Sequence, residues 1–168
     1  MVQTLIAGVG YSNLRDGSVG PRLIAELARE PWPSHITVED LSYGPIAVMQ
    51  RLQDAQPPFE RLVLISAVRR GRPVGTVTIA PWIGALPDAT EIQARVAEAV
   101  TGVISLDNLL IVVGFFDALP RDVVVIEVEP EDEGWGEGFS PAIRAAWPAL
   151  CLAVRRAAWG DVQQGVRV

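Results

Sequence analysis

The chain has 168 residues, 49% of them hydrophobic, so one domain with a substantial buried core is expected and disorder is excluded. A formal net charge of −6 argues against a nucleic-acid backbone as main partner, and the single cysteine, Cys151, excludes an internal disulfide. No charged segment precedes the first apolar run, and the longest strongly apolar stretch, 109–116, is too short to span a bilayer, so a cytoplasmic protein with no membrane partner is expected.

In chain order, the first strand is predicted over Gln3 to Val9. It runs into a glycine-rich turn, Gly8 to Gly20, and a helix over Pro21 to Arg29 with Leu23, Ile24, Leu27 and Ala28 on one face. Pro31-Trp-Pro33 ends that helix, and a second strand covers His35 to Leu41. A helix over Pro45 to Asp54 precedes Pro57-Pro58 and a buried strand, Arg61 to Ser66. The turn Gly71 to Gly75 leads to a strand over Thr76 to Ala80. Helices over Thr90 to Val100 and Ser105 to Phe116 then precede a strand over Asp122 to Val128. The last helix has Ser140 as its cap and Pro141 in its first turn, with a kink expected at Pro148. The tail 161–168 is expected to be loosely held.

Alternating strands and helices imply a three-layer α/β sandwich with a mixed, mostly parallel sheet of about five strands, forming a single domain over 1–168. The third and fourth strands are joined by too short a segment for a crossover helix, so they are expected to pair antiparallel. Ligands of such sheets sit beyond the carboxyl ends of the strands, where the glycine-rich turn would bring backbone close to them. The turn is not a dinucleotide fingerprint, because Asn13 stands where the third glycine belongs. Nor is it a phosphate loop, since the chain has no lysine.

Three blocks carry a family resemblance. The first is Gly10, Leu14, Arg15, Asp16, Val19, Gly20 and Pro21, which resembles a pattern G-N-x-L-x-x-D-D/E-G-V-G-P. The second, Ser66 to Val77, is similar to D-A-V-x-x-G-x-x-P-G-T-V. The third is Ile126 to Pro130 followed by Phe139-Ser-Pro141. Together these resemble the [NiFe]-hydrogenase maturation endopeptidases, and the resemblance covers nearly the whole chain. It implies an α/β fold and, in active members, removal of a C-terminal peptide from the hydrogenase large subunit once nickel is in place.

The resemblance also implies three side chains around a cleft that hold a metal or recognise nickel in the substrate. Carried over by position, the second acid of the first motif falls on Gly17, the aspartate of the second on Ser66, and a histidine before the last strand on Gly102. None is a carboxylate or an imidazole, the ligands such a metal wants. The chain's histidine, His35, stands outside the pattern. The expected cleft lining is therefore Asp16, Gly17, Asp40, Ser66 and Gly102, with no catalytic residue and no cofactor. Asp16 is the one weak metal candidate, and an Asp at such a turn more often binds the turn itself. Asp40 is expected in an Asx-type turn.

The loop tryptophans Trp82 and Trp135 are candidate partner contacts. The acidic run around Glu131, from Glu127 to Glu137, is expected to be a solvated rim that could steer a basic partner segment. The reading that follows is a non-catalytic, chaperone-like factor that binds the [NiFe]-hydrogenase large subunit or its precursor. The alternative is an active endopeptidase with displaced ligands. A nucleotide-binding α/β protein ranks last, because no phosphate-binding motif is present.

Overall fold

The computed structural model describes residues 1–161. The expectation of a loose tail therefore falls, from residue 162 onward, outside the described residues. Five strands, β1 (Thr4–Gly8), β2 (Ile36–Asp40), β3 (Arg61–Ala67), β4 (Val77–Pro81) and β5 (Asp122–Val128), form one sheet in the order β2-β1-β3-β5-β4. The helices are α1 (Val19–Leu27), α2 (Pro45–Gln53), α3 (Ala89–Val100), α4 (Leu106–Phe115) and α5 (Pro141–Ala158). β1 pairs parallel with β2 and β3, and β3 pairs parallel with β5. Only β4 runs antiparallel, so the expected mixed, mostly parallel α/β sandwich is present.

The period-two alternation of side chains along a strand divides the core in two. Ile6, Val63, Ile65, Val124 and Ile126 pack under α1 and α5, while Leu5, Ala7, Leu62, Leu64, Val123 and Val125 pack under α2 and α4. A strand covered on both faces has to be apolar at every position, which is why β3 and β5 read as nearly continuous aliphatic runs. α3 lies on α4 rather than on the sheet, and Ala99 is its one buried side chain. Asn108 of α4 is fully buried, and neither atom of its side-chain amide has a hydrogen-bond partner among the described residues.

The third and fourth strands do not pair with each other as expected. β4 is antiparallel, but its partner is β5, which fills the slot between β3 and β4. Position in the sheet follows burial. β5 is buried from Val123 through Val128, whereas β4 ends in the exposed Ala80 and Pro81, and a proline with no N–H to donate belongs at an edge. α5 runs on through Pro148, the position where a kink was expected, and that proline lies on its exposed side.

The chain leaves β1 toward β2 on one side and later returns to β3 on the other. The carboxyl ends of β1 and β3 therefore bound the crevice where such sheets take ligands.

Candidate functional site

The crevice is entered through the glycine-rich turn. That turn has a 3-10 segment over Arg15–Ser18 and then enters α1. A β-carbon on Gly20 would stand 2.6 Å from Val9 N and 2.8 Å from Ile65 O. The glycine lets α1 start directly against β1 and β3, so the close approach expected for a ligand is made by the protein's own backbone. Ser66, at the end of β3, is buried, and its hydroxyl donates to Val9 O at 2.8 Å. That bond ties β3 to the residue that follows β1 at the crevice. His35 lies at the opposite end of β2, edge-on to Trp159 at 6.2 Å between ring centroids.

Asp16 is fully buried, so it does not line an open cleft. Its Oδ2 accepts the backbone N–H groups of Glu131 and Asp132, each at 2.9 Å, and its Oδ1 accepts that of Ser140 at 2.8 Å. Burial pushes this carboxyl up, but the N–H groups of Asp132 and Ser140, the Ser140 hydroxyl and the Glu131 N–H outweigh it. The group is held below the ordinary aspartate range. Asp16 thus ties the glycine-rich turn to the segment between β5 and α5, and a parallel bridge from Leu14 to Gly136 runs beside it.

Asp40 is exposed and accepts the Ser42 N–H and hydroxyl, the expected Asx-type turn. The Ser42 hydroxyl in turn accepts Gly10 N–H at 3.1 Å. Gly17 is buried, and a β-carbon there would meet the Leu14 β-carbon at 3.1 Å and Glu133 Oε1 at 3.8 Å. Gly102 follows the end of α3 with φ of +80°, exposed, with no atom within 4 Å of where a β-carbon would stand. It is a helix-ending glycine in the left-handed region, a conformation that strains any side chain placed there. The five expected lining positions therefore do not converge as a donor set. Among the described residues no three His, Cys, Asp or Glu side chains come together in a way that could hold a metal ion.

Beside Ser66 the structure brings together a charged network that sequence reasoning missed. Ser66 and Glu127 are register partners on β3 and β5. Glu127, expected on a solvated rim, is only 7% exposed. It accepts Arg70 Nη2 at 2.6 Å and Arg72 Nη2 at 2.8 Å, and Arg70 also holds Asp107 of α4 through both terminal nitrogens. Arg70 is raised by its hydrogen bonds to Asp107 and then Glu127, and Asp107 is lowered chiefly by Arg70. Glu129 is buried as well and accepts the backbone N–H groups of Arg70 and Gly71. Burial raises its carboxyl, and the N–H groups of Arg70, Arg72 and Gly71 bring it below the ordinary value. The signal was present as the Arg69-Arg70-Gly71-Arg72 run together with two glutamates spaced by two, Glu127 and Glu129, at the end of a strand.

Of the partner-contact candidates, Trp135 is 78% exposed and Glu131 is exposed too, both on the segment that Asp16 holds. Trp82 is half-buried. Its backbone N–H extends the β4–β5 ladder to Val123 O, and its ring covers Gly114. Cys151 is half-buried on α5, and burial pushes its thiol up.

No protein-family model matches the chain, and no curated protein matches it significantly. Solved structures do. The hydrogenase maturating endopeptidase HybD from E. coli superposes with a TM-score of 0.69 at 20% identity, over 99% of this chain and 98% of that one. The [NiFe] hydrogenase maturation protease HybD from Thermococcus kodakarensis gives 0.60 at 18% identity, over 93% and 99%. The hydrogenase 2 maturation peptidase from a Thaumarchaeota archaeon gives 0.62 at 21% identity, over 91% and 96%. This chain has the fold of the hydrogenase maturation endopeptidases. Against that fold the three sequence blocks acquire a physical meaning. Asp16 of the first block holds Ser140 of the third, and Glu127 and Glu129 of the third hold Arg70 and Gly71 of the second. Residues of the three blocks therefore join one another around the crevice.

Proposed function

We propose that the chain is a non-catalytic relative of the hydrogenase maturation endopeptidases that binds the [NiFe]-hydrogenase large subunit or its precursor in the cytoplasm as a chaperone-like factor. The observation that carries this reading is the crevice itself. Its wall keeps the family-like residues Leu14, Asp16, Val19, Gly20, the 71–77 turn and Ser140-Pro141. The three aligned ligand positions offer two glycines and a serine hydroxyl already donated to Val9 O. These residues do not fit a nickel-recognition set. The displaced-ligand enzyme would need Asp16, whose carboxylate already accepts three backbone N–H groups.

A retained wall around a crevice without metal ligands suits recognition of a partner surface. Trp135 and Glu131 on the held segment, with Trp82 nearer the edge strand, are the proposed contacts. An exposed tryptophan on a rigid segment loses little entropy on docking. The test is incubation of the purified chain with a nickel-loaded large-subunit precursor. Expected are a complex on size exclusion, weakened by Trp135→Ala, and an intact precursor C-terminus by mass spectrometry. Release of a C-terminal peptide would defeat the non-catalytic reading, and the absence of any complex would defeat the partner.

A further inference from the structure

On the α4 side of the sheet, β4 lies beyond the cover of the helices. A cavity of about 480 Å³ opens there between β4 and α4, a volume typical of small-ligand sites. Val125, Leu110 and Trp82 supply an apolar wall. Three guanidinium groups, Arg70, Arg72 and Arg95, line it together with two carboxylates, Asp107 and Glu127, and Arg95 also faces Glu91 and Glu98 of its own helix.

The two carboxylates are already engaged. Glu127 is shared by Arg70 and Arg72, and Asp107 is held by Arg70 at 2.7 and 2.8 Å. The unspent hydrogen-bonding capacity lies with the other two arginines. Arg72 donates from Nη1 to Thr78 Oγ1 at 3.1 Å and from Nη2 to Glu127, which leaves Nε without a partner among the described residues. Arg95 is tied by Nε to Glu91 at 2.7 Å and approaches Glu98 with Nη1 at 3.5 Å, which leaves Nη2 without one. Guanidinium donors beside an apolar wall match an anion with an apolar body, and a planar carboxylate matches their geometry.

We propose that this cavity binds an amphipathic monocarboxylate, with the carboxylate on Arg72 and Arg95 and the apolar body against Trp82, Leu110 and Val125. The inference does not rest on the maturation role and stands or falls separately from it. A free small acid and the C-terminal carboxylate of a polypeptide ending in an apolar residue share this chemistry.

The test uses the full chain and sodium phenylacetate as the probe, titrated by calorimetry and by NMR of the tryptophan indole N–H signals. Saturable binding with one site is expected, with Trp82 among the signals that move. Arg95→Gln, whose side chain lies on the helix surface, is expected to weaken it about tenfold while the thermal melt stays unchanged. Arg72→Gln is expected to do the same, and phenethylamine, which carries the opposite charge, should not bind. A capped tripeptide ending in valine with a free carboxylate, compared with its amide, separates the sources. Tighter binding than phenylacetate assigns the site to a polypeptide C-terminus, and weaker binding assigns it to a free acid. No saturation up to about 10 mM, equal binding of phenylacetamide, or an Arg95→Gln variant that binds as well as the parent would overturn the proposal.

Discussion

The segments that leave the carboxyl ends of β3 and β5 are both held by carboxylates, buried apart from Asp107, but the donors differ. After β5, residues 131–140 are held through backbone N–H groups converging on Asp16, with no guanidinium among the three donors. After β3, residues 69–72 are held partly through the backbone, by Glu129, and partly through guanidinium groups, by Glu127 and Asp107. A backbone donor stays where the chain puts it, so losing the acceptor strands several buried N–H groups at once. A guanidinium can turn to water or to another acid, so a half-exposed pair is worth little. The first segment, which presents Trp135, is therefore the one whose hold depends most on a single acceptor.

The largest effect is expected from Asp16→Asn, which replaces one acceptor oxygen with an N–H₂ group facing N–H donors. It should cost about 3 kcal/mol in urea unfolding and open 131–140 to proteolysis before the rest of the chain. A loss under about 1 kcal/mol would show that the segment is held by other contacts, such as the Leu14–Gly136 bridge. The same carboxylate predicts an acid dependence. Its folded value is lowered, so its contribution is fully present above the unfolded value of about 3.9 and is lost as pH falls through the folded value. The parent should lose stability steeply below about pH 4, and Asp16→Asn should show a shallower acid limb.

Glu129→Gln keeps an acceptor oxygen for one of its two backbone donors, so a loss of about 1.5 kcal/mol is expected, about half that of Asp16→Asn. Asn108→Leu tests the opposite case, a buried polar group with no partner: removing its amide should stabilise the fold by about 1 kcal/mol in thermal unfolding. The smallest effect belongs to the guanidinium side. Asp107→Asn leaves Arg70 on Glu127, and with both partners of the lost pair partly exposed the cost should be about 0.5 kcal/mol, shrinking further in high salt. A loss as large as that of Asp16→Asn would erase the distinction between the two segments.

The sequence by itself determined the elements. The aliphatic runs 61–67 and 122–128, the proline-bounded helices and the Ser140-Pro141 start mark local preferences that burial on one or both faces reinforces, so strands and helices fall close to where they were read. It also determined the three blocks that resemble the endopeptidases, and that positions 17, 66 and 102 carry glycine, serine and glycine, because those are facts of residue identity. The tertiary structure alone decided the rest. Periodicity carries no information on which strand lies beside which, so β5 entering between β3 and β4 was not legible. Whether an acidic residue is wet or buried depends on what folds over it: Glu127 and Glu129 looked like a solvated rim and are buried because the 69–72 segment lies across them. Asp16 could be read as a turn residue, but its donors come from positions more than a hundred residues away in the chain, and only the meeting of the segments that follow β1 and β5 brings them within hydrogen-bond reach.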